Sequence, residues 1–302
     1  MNIRNAFSKK KLILIGLTFL TAFIVIICRN QKEIFAENKN IKVVSSTNFY
    51  GETAKAVLGN KGKVSSIINK GSVDPHDYDP TTKTAKKVNQ AKVVIYNGIG
   101  YDDWINKLTK KSQSKINVGK LMGKKNGDNE HVWYNSKTMP KLAYRLAKKY
   151  SKIKPHDKSY FYKNAKKYNK KISSVASKEN HLKVKNNKNK VDVSEPVYDY
   201  TLSKLGYKVR DRSFELAIEN GTDPSAKDVK NIRKDIKQKR IAFFVNNTQA
   251  SDKTVGNFIR LAHKKKIPVL NVTETQPQGK NYKSWMLNQF RRLKKIQNRL
   301  AK

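Results

Sequence analysis

Short runs of β-branched and aromatic residues alternate along this chain with longer stretches that carry apolar residues at helical spacing. Such alternation specifies α/β domains with mainly parallel sheets, because a parallel strand pairs with its neighbour only after a crossover connection. The alternation occupies two blocks, one on each side of a lysine-rich segment. The predicted strands are residues 41–46, 64–68, 93–96, 191–193, 207–210, 241–245 and 267–272, and the predicted helices are residues 52–58, 84–90, 101–108, 197–205, 227–237, 253–265 and a last one from about 282.

The segment between the two blocks, residues 137–190, is helical in pattern and contains only two acidic residues, Asp157 and Glu179. Pro155 suits the first turn of a helix, and nothing breaks the pattern from there to about Ser177. The predicted organisation is a targeting segment followed by two α/β lobes that one long helix joins. The boundaries are 1–40 for the targeting segment, 41–152 for the first lobe, 153–188 for the linking helix and 189–302 for the second lobe.

The charge of the chain is far from neutral, since 65 Lys and Arg residues oppose 23 Asp and Glu residues, a formal net charge of +42. Lysines outnumber arginines 54 to 11, whereas recognition of bases and phosphates favours the bidentate guanidinium group. We therefore predict a solvated, lysine-rich surface and no nucleic-acid partner. A single cysteine excludes a disulfide scaffold and a cysteine-rich zinc or iron–sulfur site.

The first forty residues have the pattern of a targeting segment rather than of a folded domain. Arg4 and residues 9–11 supply positive charge ahead of an uncharged run, residues 12–28, that is rich in Leu, Ile and Phe. The lone cysteine, Cys28, ends this run and resembles the acylated cysteine of bacterial lipoproteins, although a small residue does not precede it. The alternatives are an uncleaved membrane anchor and cleavage near Ala36. All three place the rest of the chain outside the cytoplasmic membrane, and a lipid or a signal anchor would hold it at the outer face.

Four side chains of metal-binding type follow predicted strands or precede predicted helices, two in each lobe. His76 lies in a loop that two prolines stiffen, and His131 comes just before a helix. Glu195 and Glu274 follow two strands of the second lobe. Because the strand ends of two α/β lobes face a shared cleft, we expect these side chains to converge there, where two imidazoles and two carboxylates suit a divalent metal. The competing interpretations are ordinary loop histidines, and glutamates that cap helices or hydrogen-bond a ligand.

Several motifs, in order along the chain, resemble those of the zinc/manganese substrate-binding proteins of bacterial ABC importers. They are residues 71–81, 131–133, 195–200, 222–225 and 272–277, followed by Tyr282 and Trp285. The resemblance runs from about residue 40 to the C-terminus. It implies an α/β fold of two Rossmann-like lobes, joined by one rigid helix, with a metal site in the cleft between them. It also implies that the metal ligands are His76, His131, Glu195 and Glu274.

The same resemblance implies a binding protein rather than an enzyme. We expect a monomer, held by a lipid or by a signal anchor, that carries one Zn²⁺ or Mn²⁺ ion to a membrane permease. The choice of metal stays open, because many zinc members have a histidine where Glu195 stands and many manganese members have an aspartate where Glu274 stands. Lysines on the exported body would also be attracted to an anionic membrane or cell-wall surface.

Two other functions fit parts of the sequence. A secreted metallohydrolase would need an open coordination position and a positioned base. Four protein ligands leave zinc no vacancy, and the chain contains no HExxH motif. A polyanion-binding surface protein would use the basic segment 137–190. Its affinity for the polyanion would fall steeply with added salt and would not depend on metal. Metal stoichiometry, hydrolase turnover and salt dependence distinguish these functions from that of a metal receptor.

Overall fold

Two four-stranded sheets with flanking helices organise the chain in the computed structural model, which describes residues 40–71, 73, 75–184, 189–250 and 252–301. The strands are β1 Ile41–Thr47, β2 Gly62–Ile68, β3 Val93–Tyr96, β4 Ser114–Asn117, β5 Lys190–Val193, β6 Lys208–Val209, β7 Phe243–Asn247 and β8 Val269–Val272. The α-helices are α1 Asn48–Leu58, α2 Thr82–Gln90, α3 Trp104–Lys107, α4 Val118–Leu121, α5 Thr138–Ile153, α6 Lys158–Asn180, α7 Asp199–Leu205, α8 Arg212–Glu219, α9 Ala226–Lys237, α10 Lys253–Lys264 and α11 Tyr282–Leu300. Short 3-10 turns cover Val132–Tyr134, Pro155–Asp157 and Pro196–Tyr198.

The N-terminal sheet has the strand order β2-β1-β3-β4, and the pairs β1–β3 and β3–β4 are parallel. Val43 is in register with Val93, and β3 is buried along its whole length. A central strand of a parallel sheet is apolar throughout because helices cover both faces. The outer strand β4 is not among the predicted strands, since Ile116 is its one buried residue.

The C-terminal sheet has the strand order β6-β5-β7-β8, and all its neighbouring strands are parallel. Val191 is in register with Phe243, and Val245 with Leu270. Helices α8, α9 and α10 pack against this sheet in one apolar cluster that includes Phe214, Ile232, Phe244 and Phe258. Two parallel sheets with flanking helices confirm the predicted α/β fold class.

Helix α6 is the longest of the described helices, with 23 residues, which corresponds to about 35 Å at 1.5 Å per residue. Its buried residues form a stripe at helical spacing that includes Phe161, Tyr168, Ile172 and Val175. The helix contacts α1 and α5 on the N-terminal side of the chain and α11 on the C-terminal side. It lies inside the predicted linking segment 153–188, whose role as a rigid link stays a prediction.

The predicted targeting segment, including Cys28 and the apolar run before it, lies outside the described residues. Of the helices that the structure describes, none is long and apolar enough to cross a membrane. By their contacts, the residues from Lys42 onward group together in one unit that contains both sheets.

Candidate metal site

His76 lies in the loop that follows β2, and neighbouring side chains hold that loop in place. The indole Nε1 of Trp104 donates a hydrogen bond to the carbonyl oxygen of Pro75 at 3.1 Å. Further along, the Thr81 side chain caps α2 by accepting a hydrogen bond from the backbone N–H of Thr84. The His76 ring lies edge-on to Tyr101 with 5.0 Å between centroids, and its side chain is 31% exposed. The imidazole is therefore positioned at the solvent edge of the site.

His131 is completely buried, just before the turn Val132–Tyr134. Asn129 Oδ1 accepts a hydrogen bond from the backbone N–H of His131 at 2.9 Å and lies 3.1 Å from its Nδ1. When Nδ1 donates to this oxygen, Nε2 carries the lone pair, and within the described part of the chain Nε2 has no hydrogen-bond partner. Burial lowers the pKa of His131 to about 4, so the ring is neutral at pH 7. A neutral imidazole with an unused nitrogen is suited to binding a metal.

Both predicted glutamates lie at strand ends of the C-terminal sheet, Glu195 after β5 and Glu274 after β8. The side-chain amide of Asn247, the last residue of β7, donates to Glu195 Oε2 at 2.7 Å and to Glu274 Oε2 at 3.5 Å. The Tyr101 hydroxyl donates to Glu274 Oε1 at 2.9 Å. A cavity of about 90 Å³ is lined by both glutamates and by Pro75, which precedes His76. The four predicted residues thus lie around one place between the two sheets, and their role as ligands stays a prediction.

Two further carboxylates lie among these groups, Glu130 directly before His131 and Glu219 at the end of α8. Glu130 Oε1 lies 3.4 Å from His76 Nε2. Glu219 Oε1 lies 3.9 Å from the same nitrogen and 3.7 Å from His131 Nε2. Burial first, and then the neighbouring carboxylates, raise the pKa of Glu219. Crowded carboxylates at a poorly solvated place repel one another, so a divalent cation would stabilise them.

Sequence reasoning misses Glu219 because this residue follows no strand. The start of its helix is recognisable, since the Asp211 side chain accepts a hydrogen bond from the backbone N–H of Phe214, and Ile218 lies four residues after that phenylalanine. The helix α8 is nevertheless not among the predicted helices, and its pattern does not show what its last residue faces. Glu130 directly precedes the predicted ligand His131, but no sequence pattern distinguishes it as a site residue.

The end of β7 and the loop after it reach the candidate site through Asn247 and Gln249. Gln249 Nε2 donates to the carbonyl oxygen of Gly71 at 2.5 Å and to Thr275 Oγ1 at 2.7 Å. A Cβ atom on Gly71 would lie 2.6 Å from that nitrogen, so a larger residue would displace the end of the Gln249 side chain. These bonds tie the loop of His76 to loops of the C-terminal sheet.

Comparison with known proteins identifies the family. The family model described as "Zinc-uptake complex component A periplasmic" matches residues 43–296. The chain belongs to this family. This match confirms the resemblance that the sequence motifs indicated. The chain is therefore a substrate-binding protein that captures a divalent metal outside the cytoplasmic membrane for an ABC importer. Its partners are the permease and the ATPase of that importer.

Curated relatives of this chain include streptococcal proteins. It is 26% identical over 299 residues to the manganese ABC transporter substrate-binding lipoprotein PsaA of Streptococcus pneumoniae serotype 4, covering 92% of this chain and 96% of the relative. It is 29% identical over 216 residues to the iron ABC transporter substrate-binding lipoprotein MtsA of Streptococcus pyogenes serotype M6, covering 65% and 69%. These names describe binding proteins and not a class of enzymes.

Solved structures share the fold. The Mn-bound periplasmic metal binding protein from Candidatus Liberibacter asiaticus superposes with a TM-score of 0.68 at 17% identity, covering 85% of this chain and 100% of that chain. The substrate-binding protein FpvC of Pseudomonas aeruginosa, in complex with Ni²⁺, has a TM-score of 0.69 at 17% identity, covering 86% and 98%. Both likenesses confirm the architecture of two parallel sheets in this chain.

Proposed function

We propose that this chain binds one divalent metal ion through His76, His131, Glu195 and Glu274 and delivers it to the permease of an ABC importer. The observation that carries the proposal is the state of His131, a buried and neutral imidazole whose Nε2 has no hydrogen-bond partner among the described residues. A buried polar atom without a partner costs about 1–3 kcal/mol. A metal ion at Nε2 would offset that cost.

The groups around the proposed ligands support the same function. Asn129 selects the tautomer of His131 that leaves Nε2 available. Tyr101 and Asn247 donate hydrogen bonds to Glu274, which restricts the orientation of its carboxylate. Partners of this kind are what orient the ligands of a metal site.

The proposed cargo is Zn²⁺ or Mn²⁺. Two neutral imidazoles and two carboxylates balance the charge of a dication, so these four ligands carry a net charge of −2 when empty and of zero when loaded. Zinc accepts four such ligands tetrahedrally at about 2.0–2.2 Å, whereas manganese suits carboxylates and takes higher coordination numbers. The relatives named above are called manganese and iron transport proteins, and two solved neighbours hold manganese and nickel. Both chemistries are compatible with this donor set.

A chelator-buffered titration with Zn²⁺ and with Mn²⁺ tests the site. The parent should bind one ion per chain, and the variants His76→Ala and His131→Ala should each lose affinity for both metals by at least about 100-fold. The matched control is His263→Ala, because His263 is exposed on α10, and this variant should bind like the parent. Tight binding of both metals by His76→Ala would remove the basis of the site assignment.

We propose that the loaded protein has no hydrolase activity of its own. Four protein ligands fill the tetrahedral shell of zinc and leave no position for a reactive water. Incubation of the loaded protein with peptide, ester and phosphate-ester substrates should give no metal-dependent turnover. Turnover that disappears in His76→Ala would favour the alternative of a secreted metallohydrolase.

We propose that a lipid on Cys28 holds the protein at the outer face of the membrane. The relatives named above are called lipoproteins, and the apolar run that ends at Cys28 supports the proposal. Mass spectrometry of the protein purified from its own membranes should show the added lipid, and Cys28→Ala should abolish that mass shift. An unmodified chain that keeps residues 1–27 would instead identify a signal anchor.

We propose two lobes, 41–152 and 189–302, with 153–188 as the helix between them and a monomeric protein overall. The contacts of α6 with helices that come from both sides of the chain support this division. Hydrogen exchange should show α6 equally protected with and without metal, while the loops around His76 gain protection. Light scattering after gel filtration should give the mass of one chain.

We propose that the basic surface holds the protein close to anionic lipid headgroups. A groove of about 700 Å³ lies before the amino ends of β5, β7 and β8, at the edge of the sheet opposite the metal site, and its basic lining residues are Lys190, Arg210, Lys239, Arg240 and Lys266. Binding to anionic vesicles should weaken as salt is added and should be the same for the metal-loaded and the metal-free protein. The double variant Lys239→Glu/Lys266→Glu should bind these vesicles more weakly. Unchanged binding would exclude this groove as the membrane-binding surface.

A further inference from the structure

Glu219 reaches the metal site from an element that supplies none of the proposed ligands. It is the last residue of α8, and its side chain is only 11% exposed. Its Oε1 lies 3.7 Å from His131 Nε2 and 3.9 Å from His76 Nε2. Within the described residues, neither this oxygen nor His131 Nε2 has a hydrogen-bond partner. Two buried polar atoms, one acidic and one basic, thus face each other without being bonded.

These separations are somewhat longer than the edges of a coordination shell. Ligand atoms about 2.1 Å from a metal lie about 3.4 Å apart in a tetrahedron and about 3.0 Å apart at neighbouring corners of an octahedron. Glu219 Oε1 lies less than 1 Å beyond these distances from both imidazole nitrogens. Small side-chain rotations would bring all three atoms onto one ion. Glu219 belongs to a cluster with His76 and Glu130 in which one ligand atom of each residue lies within 4.8 Å of the others.

We propose that Glu219 is an additional metal ligand that makes the site prefer a six-coordinate cation of the Mn²⁺ type over tetrahedral Zn²⁺. The inference rests on the proposed function, since it adds a third carboxylate to the two imidazoles and two carboxylates assigned there. Zinc is satisfied by those four groups and gains little from a fifth. Manganese prefers oxygen ligands and fills a larger shell, so it gains a bond.

Glu130 provides the comparison that separates ligation from simple charge. The Glu130 carboxylate lies 3.4 Å from His76 Nε2. Among the described residues, the carboxylate within 4 Å of His131 Nε2 is that of Glu219 and not that of Glu130. Removing the charge of Glu130 should weaken the attraction of every dication to about the same extent. Removing Glu219 takes away both a charge and the proposed bond.

The test measures dissociation constants for Mn²⁺ and Zn²⁺ in chelator-buffered titrations of the full chain. Glu219→Gln should weaken Mn²⁺ binding at least tenfold more than Zn²⁺ binding, and X-ray absorption of the Mn-loaded variant should show one oxygen neighbour fewer. Glu130→Gln should keep the Zn²⁺-to-Mn²⁺ ratio of the parent. Glu215→Gln changes a buried carboxyl one turn earlier on α8, which lies near Arg212, and should leave both constants unchanged.

The outcomes distinguish this inference from the proposed function. If His76→Ala loses both metals and Glu219→Gln keeps the parent ratio within about twofold, Glu219 is not a ligand and the proposed function stands. Equal losses of both metals in Glu219→Gln would likewise overturn the inference, since the lost charge alone explains them. If His76→Ala keeps both metals, the site itself is misplaced. Circular dichroism and the melting temperature of the metal-free variants establish that each of them is folded.

Discussion

The hydroxyl of Tyr101 donates a hydrogen bond to Glu274 Oε1 at 2.9 Å, although the two residues lie 173 positions apart in the chain. Tyr101 follows β3 of the N-terminal sheet, and Glu274 follows β8 of the C-terminal sheet. The same tyrosine ring packs edge-on against His76 at 5.0 Å and lies 4.7 Å from the Trp133 ring. One side chain therefore fixes the orientation of a proposed ligand from each sheet.

Tyr101→Phe should weaken metal binding about tenfold and lower the free energy of unfolding by about 1–2 kcal/mol, because a hydrogen bond to a charged acceptor is lost at a poorly solvated place. Calorimetric metal titration and urea unfolding measure the two effects. Tyr150→Phe is the matched control, since Tyr150 is fully buried and its hydroxyl has no hydrogen-bond partner among the described residues. Equal metal affinities of Tyr101→Phe and the parent would contradict the role given to this bond.

Asn247→Ala should reduce metal affinity by about 10–100-fold with little change in fold, because the amide that bonds both Glu195 and Glu274 is lost and the two carboxylates are free to turn away. Metal titration and circular dichroism provide the measurements. The neighbouring Asn246→Ala is the control, since Asn246 bonds Asn271 at 3.1 Å instead of the glutamates. Similar losses in both variants would show that the effect arises from the strand and not from the amide.

Asp192→Asn should stabilise the protein increasingly as the pH rises. Burial, with a smaller contribution from Asp235, raises the pKa of Asp192 from 3.8 to about 8. Between these values the unfolded chain has released the proton and the native protein still holds it, so the parent loses stability as the pH increases. The variant lacks this titration, and its advantage should grow by about 1 kcal/mol per pH unit between pH 5 and pH 8.

Urea unfolding at pH 5, 6.5 and 8 measures that advantage. Asp223→Asn, a change at an exposed aspartate of the same part of the chain, controls for the loss of one negative charge. A difference between Asp192→Asn and the parent that stays constant over this range would show that the buried aspartate is not the source of the pH dependence.

Lys204→Met should destabilise the protein by about 3 kcal/mol, since it leaves the fully buried Glu179 of α6 without its counter-charge. The double variant Lys204→Met/Glu179→Gln should recover most of this loss in urea unfolding. The control is Lys61→Met, which breaks the partly exposed pair of Lys61 with Asp157 and should cost about 1 kcal/mol or less. Failure of the double variant to recover stability would mean that packing of the lysine stem, and not charge, matters.

Much of the fold and of the candidate site could be predicted because both depend on local patterns. β3 and β7 are apolar runs in the sequence and buried strands in the structure. His76 and Glu274 adjoin strands, and in parallel sheets the strand ends lie at one edge, so their neighbourhood follows from the topology. β4 was not predicted, because an outer strand with a single buried residue lacks the run of apolar residues that identifies a strand in the sequence.

Tyr101 shows what local patterns miss. The sequence places it at the start of a helix over 101–108, but the helix is limited to Trp104–Lys107. The Asp102 carboxylate accepts hydrogen bonds from the backbone N–H groups of Asn97 and Gly98, at 2.8 and 2.7 Å, which folds the preceding residues into a tight loop. The Tyr101 hydroxyl then reaches the opposite sheet instead of lying on a helix face.

The sequence by itself determined the α/β class, most of the strands and helices, the family and the neighbourhood of His76, His131, Glu195 and Glu274, because periodicity and strand-end position are properties of short segments. Only the tertiary structure decided that Tyr101 bonds Glu274 and that Glu219 faces both histidines. Those pairs are remote in the chain and no local preference encodes them. Their side chains meet because the packing of the two sheets brings loops from both together around the candidate site.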